Sequence, residues 1–340
     1  MEAINVRGRS FIFDYSIGKH SPGGPGFRQP QDVAFGLDNT LFVVNRGSEG
    51  EPCGRVSKLT IDSDYIGQFG SIGESDGQFV WPTSVIVDRN GLVYVADEWL
   101  HRISIYDGNG DFDGKAIEQS NFISKWGTYG NNPGELGGPA GMVFDKDENI
   151  YITENINNRV SKFSKDGKHI LSWGGPGAGE GEFNGPWGIA LDSEGNVYVA
   201  DWKNDRVQKF TANGEYITSF GQSGNTSGFI HLPSDVAVDS DGDIYIADWW
   251  NDKVEVYDKD GEHLVTLLGN AETLSKWAVE FLEVNEEDQV ARDAMPSLES
   301  EYTFGRPISI EIDSSGRIWV VEDNRWRIQI YKKTRDVAVA

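Results

Sequence analysis

The feature that most constrains this chain is a repeat. A proline opens a short apolar run at Pro30, Pro82, Pro139, Pro186, Pro233 and Pro307. Fifteen residues after each proline stands an acid or an amide: Asn45, Asp97, Glu154, Asp201, Asp248 and Glu322. Five residues beyond the last five of these comes a base, at Arg102, Arg159, Arg206, Lys253 and Arg327; in the first unit the base is Arg55, ten residues on. A glycine lies twelve residues before five of the prolines, at Gly18, Gly70, Gly127, Gly174 and Gly221. The undisturbed period is 47 residues, and intervals of 52, 57 and 74 carry insertions of 5, 10 and 27. These fall at 46–54, around 111–121, and between Gly269 and Pro307. A unit repeated at such a period cannot bury its apolar face alone, so neighbouring units must stack.

The fourth unit shows what is repeated. Gly188–Leu191 is a short apolar run that ends in a turn, Asp192-Ser193-Glu194-Gly195. Val197–Ala200 follows, rich in β formers. Arg206–Phe210 alternates apolar and polar, Asn213-Gly214 is a hairpin signal, and Tyr216–Phe220 completes four strands. Four short antiparallel strands per unit, repeated radially, leave few free sheet edges. The expected fold is therefore all-β: a six-bladed β-propeller, one domain over 1–340 with blades at about 10–331. The last unit runs out near Tyr331 after three strands, so Phe11–Ile17 is expected to supply the fourth strand of blade six and close the ring. Within the long insertion, at 270–305, Leu274, Trp277, Ala278 and Phe281 fall at helical spacing. Asn285 followed by Glu286, Glu287 and Asp288 reads as a second helix start, ended by Pro296. Placed between blades five and six, this helical pair is expected on the mouth face, either as a lid or packed on the rim.

Charge narrows the partners. Asp and Glu total 54 against 30 Lys and Arg, a net −24. Nucleic acids and anionic membrane surfaces are disfavoured, whereas cationic ligands and metal ions are not. The lone Cys53 excludes an internal disulfide framework. No stretch is long and apolar enough for a membrane helix, and the first residues have no apolar core of a secretory signal. The expectation is a cytoplasmic protein, monomeric, with a small organic molecule or a peptide as its partner.

The run Asp201-Trp202-Lys203-Asn204-Asp205-Arg206-Val207-Gln208-Lys209-Phe210 resembles the centre of the NHL repeat. Pro186–Asp192 resembles its opening strand, and the stretch from Trp173 to Phe183 its glycine-rich linker. The resemblance covers roughly 10–331 and implies a propeller of NHL type. The family's functions are diverse, with peptidyl-hydroxyglycine amidating lyases and streptogramin lyases among similar proteins. The amidating lyases imply zinc-binding histidines just after each opening proline. Here those positions hold Gln31, Thr83, Ala140, Trp187, Ser234 and Ile308, so that site is not expected. The streptogramin lyases imply a histidine, a carboxylate and magnesium; His101 and His231 fall near the mouth, but no single histidine is marked for that role.

The acid–base pairs recur in nearly every unit, as a scaffold element does, so they are read as structural. Function is sought where the units differ. One residue after each repeated acid the chain reads Arg46, Glu98, Asn155, Trp202, Trp249 and Asp323. Side chains that differ from unit to unit on one frame, the two tryptophans excepted, read as a binding mouth. Arg46, Asn155, Trp202, Trp249 and the nearby Trp187 are the candidate ligand-binding residues. Glu98, Asp323 and Glu311 are the candidate catalytic residues, Glu311 because the other units carry only Ala34, Ile86, Val143, Ala190 or Ala237 at its place. Two residues after their prolines, Asp32 and Asp235 could hold Ca2+ or Mg2+ or cap local main-chain amides. The functional expectation is a small-molecule-binding protein with its site at the channel mouth, or an enzyme of lyase or hydrolase type assisted by a divalent metal; the alternative is a non-enzymatic module that docks a protein or peptide on its aromatic face.

Overall fold

The computed structural model describes residues 3–110 and 121–335. The part of the second insertion at 111–120 lies outside the described residues. Six antiparallel sheets are arranged as blades. Blade one is Pro30–Phe35, Thr40–Gly47, Pro52–Thr60 and Tyr65–Phe69, and blades two to five repeat that order from Pro82, Pro139, Pro186 and Pro233. In each, the repeated proline opens the innermost strand.

Blade six is closed by the chain start. Pro307–Ile312, Arg317–Glu322 and Arg327–Arg335 are joined by Arg9–Ile17, which pairs antiparallel with the last of them from Arg9 opposite Arg335 to Ile17 opposite Ile328. The expected closing strand is therefore present, and Ile4–Val6 adds a fifth, outermost strand that the repeat does not announce. Apolar side chains pack between neighbouring blades. Tyr245, Val254 and Val256 of blade five meet Phe11, Ile310, Ile318 and Val320 of blade six. Ile328 and Trp319 of blade six meet Val33, Leu41 and Val43 of blade one. A second link locks the closure. The Lys333 ammonium donates to Asp239, Asp241 and Asp243 of the fifth blade at 2.5, 2.9 and 2.6 Å.

The repeated acid explains why all units share one frame. Its oxygen accepts the main-chain N–H two residues before the proline in every blade: Asn45 from Arg28, Asp97 from Val80, Glu154 from Gly137, Asp201 from Asn184, Asp248 from His231 and Glu322 from Gly305. The repeated base reaches back to carbonyls of the incoming linker, as Arg206 does to Gly179 and Glu182, and Lys253 to Thr226 and Phe229. Acid and base also pair directly in Glu154–Arg159, Asp201–Arg206, Asp248–Lys253 and Glu322–Arg327. In blade two Asp97 instead accepts four main-chain amides, from Val80, Trp81, Trp99 and Leu100. The displaced Arg55 still binds linker carbonyls, of Ser21, Gly24 and Gly26. The repeated glycines serve the linker turns; Gly18 has φ +118°, and a Cβ there would lie 2.6 Å from the Trp326 carbonyl.

The long insertion forms helices Lys276–Val284, Glu286–Asp293 and Glu299–Tyr302, the last not expected from the sequence. Ser275 caps the first by accepting from Ala278 N. Asn285 marks the start of the second, but its side chain donates back to Phe281 O rather than capping. Trp277 is buried against Phe27 and Tyr65. That anchors the insertion at the junction of blades six and one.

Candidate functional site

The six residues that follow the repeated acids end up around one opening, because each acid fixes its own loop. A cavity of about 310 Å3 lies there. Its wall includes Arg46, Trp187, Trp202, Trp249 and Asp323, as the unlike side chains at those positions suggested. Trp81, Gln29, Gln31, Ser234 and Ile308 complete much of it. These were not among the expected site residues. They stand immediately before or after the repeated prolines, and their disagreement from unit to unit was a signal of the same kind. No residue of 270–305 lines this cavity, so the insertion is not a lid over it in this structure.

The wall is largely aromatic. Trp187 meets Trp202 edge to face with centroids 5.5 Å apart, and Trp202 meets Trp249 in the same way at 6.1 Å. Two cations sit on tryptophan faces: Arg46 lies 4.1 Å from the Trp81 centroid, and Arg306 lies 4.8 Å from that of Trp249. Burial pushes the Arg46 guanidinium down to about 10, with Glu98, Asp97 and Asp323 opposing that shift, so it stays charged at neutral pH.

Glu98 and Asn155 belong to the same rim but do not line the cavity. Asn155 Nδ2 donates to Glu98 Oε1 at 2.8 Å, and Glu98 Oε2 is 3.8 Å from Arg46 Nη1. This chain crosses blades one, two and three and holds Arg46 in place. Glu98 is thereby committed to a positioning contact.

Asp323 is different. Burial raises its carboxyl to about 6, offset in part by Arg306 and by the nearby indole N–H of Trp249. Its Oδ1 and the indole nitrogens of Trp81 and Trp202 are buried without a hydrogen-bond partner. Buried polar groups are ordinarily paired. These atoms border the cavity but are closed off from solvent, so Asp323 is held in the wall at a cost rather than satisfied there.

Glu311, Asp32 and Asp235 lie apart from Asp323. They line a constriction of about 20 Å3 deeper in the channel, which shares Gln31, Trp187 and Ile308 with the mouth. Asp32 accepts from Val33 N and from Ser309 Oγ on one oxygen and from Val85 N on the other, each at 2.8 Å. Asp235 accepts from Val236 N and Ile310 N, both at 2.9 Å. Each acid thus staples its blade to a neighbour, which is the amide-capping alternative. These contacts engage oxygens that a cation would otherwise use. Burial raises the Asp32 carboxyl to about 6. It drives Asp235 and Glu311 well up too, Glu311 further through the charges of Asp32 and Asp235.

His101 accepts from Gly138 N through Nδ1 at 3.1 Å and stacks on Tyr129, and His231 pairs with Asp205 at 2.9 Å. Both act in rim loops.

Comparison with known proteins bears on the fold. The NHL repeat model matches residues 183–210 and 231–257, in blades four and five. RING finger protein nhl-1 of Caenorhabditis elegans is 34% identical over 78 residues, 23% of this chain and 7% of that protein. Protein brain tumor of Drosophila melanogaster is 24% identical over 164 residues, 48% of this chain and 14% of that one. The chain thus spans a small fraction of the length of these curated relatives. Among solved structures, a protein of unknown function from Bacteroides thetaiotaomicron superposes with TM-score 0.64 at 19% identity, covering 96% of this chain and 76% of that one. A streptogramin B lyase gives 0.58 at 13%, covering 95% and 98%. A gluconolactonase from Xanthomonas campestris gives 0.57 at 14%, covering 96% and 90%. At these identities the likeness is one of fold. The six blades and the ring closure show the fold: the chain is a six-bladed β-propeller, and its fourth and fifth blades match the NHL repeat.

Proposed function

We propose that the mouth cavity binds a small organic molecule with a flat apolar body and an anionic group, and that Asp323 exchanges a proton with it in lyase- or hydrolase-type chemistry. The observation that carries this reading is a concave cavity walled by Trp81, Trp187, Trp202 and Trp249 that brings the Arg46 guanidinium and the raised carboxyl of Asp323 together. Arg46 supplies the cation for the anionic group. Tryptophan faces and edges supply the apolar contact. A carboxyl near 6 is suited to proton transfer at neutral pH, since it can serve in either protonation state. Similar folds named as a streptogramin B lyase and a gluconolactonase support this by analogy of scaffold alone. No step here passes through a metal.

The test is a calorimetric screen of aromatic carboxylates and lactones against the wild type, Arg46→Gln and Asp323→Asn. Saturable binding that weakens at least tenfold in Arg46→Gln, with turnover lost but binding kept in Asp323→Asn, supports the reading. Binding indifferent to Arg46 overturns it.

One observation favours a second reading. Trp99, Trp250 and Tyr129 stand 59%, 57% and 66% exposed on loops of the same face. They would suit a docked peptide or protein. In that case Trp99→Ala and Trp250→Ala abolish binding and Arg46→Gln leaves it intact.

A further inference from the structure

We infer a second binding site, independent of the mouth, in the groove between the helical insertion and blade six. Its ligand is a free amphiphile with a carboxylate head and an apolar tail. The groove encloses about 470 Å3. One wall is the inner face of helix Lys276–Val284, with Ala278, Phe281 and Leu282, extended by Leu274. The other wall is the turn that carries Arg325 and Trp326.

Charge selects the head group. Four cationic side chains, Lys19, Arg292, Arg325 and Arg327, line the groove against one carboxylate, Glu301. Arg292 is paired with Glu301, and Arg327 with the buried Glu322. Among the described residues, Lys19 and Arg325 make no ion pair. Lys19 lies over the Phe281 ring at 4.8 Å, and Arg325 donates through Nη2 to the Ser300 carbonyl, which leaves its charge without a carboxylate. On a chain of net charge −24 this is a local excess of positive charge beside an apolar wall.

Apolar surface selects the tail. Phe281 remains 41% exposed, and the groove shares Leu274 and Leu282 with a second concavity of about 450 Å3 that runs on past Val279 and Val290. The wall is held ready: Ser275 Oγ donates to the Gly18 carbonyl, and Trp277 is buried beneath it. A site fixed before binding loses less on ordering. The source is a dissolved amphiphile rather than a bilayer, because the chain's net charge repels an anionic membrane surface.

The experiment is titration calorimetry of the full chain with dodecanoate below its micelle concentration. Dodecanol, acetate and dodecyltrimethylammonium are the controls, and sedimentation with phosphatidylserine vesicles is a separate arm. Saturable dodecanoate binding is expected. Affinity should drop at least tenfold in Lys19→Gln/Arg325→Gln and at least threefold in the surface variant Lys19→Gln alone, with circular dichroism unchanged. Arg46→Gln should leave it as in the wild type. Equal binding of dodecanol, equal binding of the cationic amphiphile, loss in Arg46→Gln, co-sedimentation with vesicles, or no change in Lys19→Gln would each overturn the inference.

Discussion

If Asp323 is held for chemistry rather than for stability, replacing it with asparagine should stabilise the fold, and only at neutral and higher pH. Burial raises the folded-state carboxyl from 3.8 to about 6. Between those values the unfolded chain ionises and the folded one does not. Stability therefore falls as pH rises through this window, and the full penalty is present above about 6. A shift of that size corresponds to up to about 3 kcal/mol at roughly 1.4 kcal/mol per unit. Asp323→Asn removes the charge at nearly constant volume. Guanidinium unfolding at pH 8 should show the variant more stable by about 1–3 kcal/mol, the lower part of the range allowing for the new amide facing the Trp249 N–H. At pH 3.5, where both states of the wild type are mostly protonated, the two proteins should unfold alike. A constant difference at both pH values, or a variant less stable at pH 8, would refute the argument that this carboxyl sits in the wall at a cost.

The scaffold makes its own predictions. Lys333→Met leaves the Asp239, Asp241 and Asp243 carboxylates facing one another with Arg9 and Arg335 as their remaining cationic partners. At pH 7 this should cost about 3 kcal/mol, or roughly 4 °C in Tm. The Asp241 carboxyl is held below its usual value, chiefly by Lys333 against the cost of burial. Its contribution is present above the unfolded value near 4 and lost as pH falls through the folded one. The deficit of the variant should therefore shrink in scans taken toward pH 3. Asp201→Ala strips acceptors from Asn184 N, Asn204, Arg206 and Gln208 at once, and chemical denaturation should show a loss of about 3–5 kcal/mol. Trp277→Ala opens a hole under the insertion, a substitution class worth about 3–5 kcal/mol. Limited proteolysis should then cut first within 270–305 and leave the propeller intact.

The fold was legible because one chemical device is written six times. A buried acid that binds a linker amide cannot drift in register without orphaning that amide, so the spacing from proline to acid persists through insertions. Ring closure was legible for a related reason: the last unit lacks a strand, and Phe11–Ile17 ends in a glycine at the register of a fourth strand. The extra strand Ile4–Val6 carries no such mark. The site was partly legible. The residue after each acid points at the mouth, and Arg46, Trp202, Trp249 and Asp323 meet there. Glu98 and Asn155 share that register, but they turn to each other and to Arg46, since opposite charge on neighbouring blades is satisfied locally. Asp32 and Asp235 look like ligands in one dimension. In three they accept main-chain amides of neighbouring blades, a contact that spacing within a single unit cannot reveal. The insertion followed its helical period, yet where it packs was decided by Trp277 finding Phe27 and Tyr65, residues more than two hundred positions away in sequence.

The mouth cavity as a ligand site is tested most directly by 19F NMR of the protein labelled with 5-fluorotryptophan, assigned by single substitutions and titrated with aromatic carboxylates. The resonances of Trp81, Trp187, Trp202 and Trp249 should move together and saturate, while those of Trp99 and Trp250 stay in place. Movement confined to Trp99 and Trp250, or no movement at any of the six, would contradict the assignment of the cavity as the place where this propeller meets its ligand.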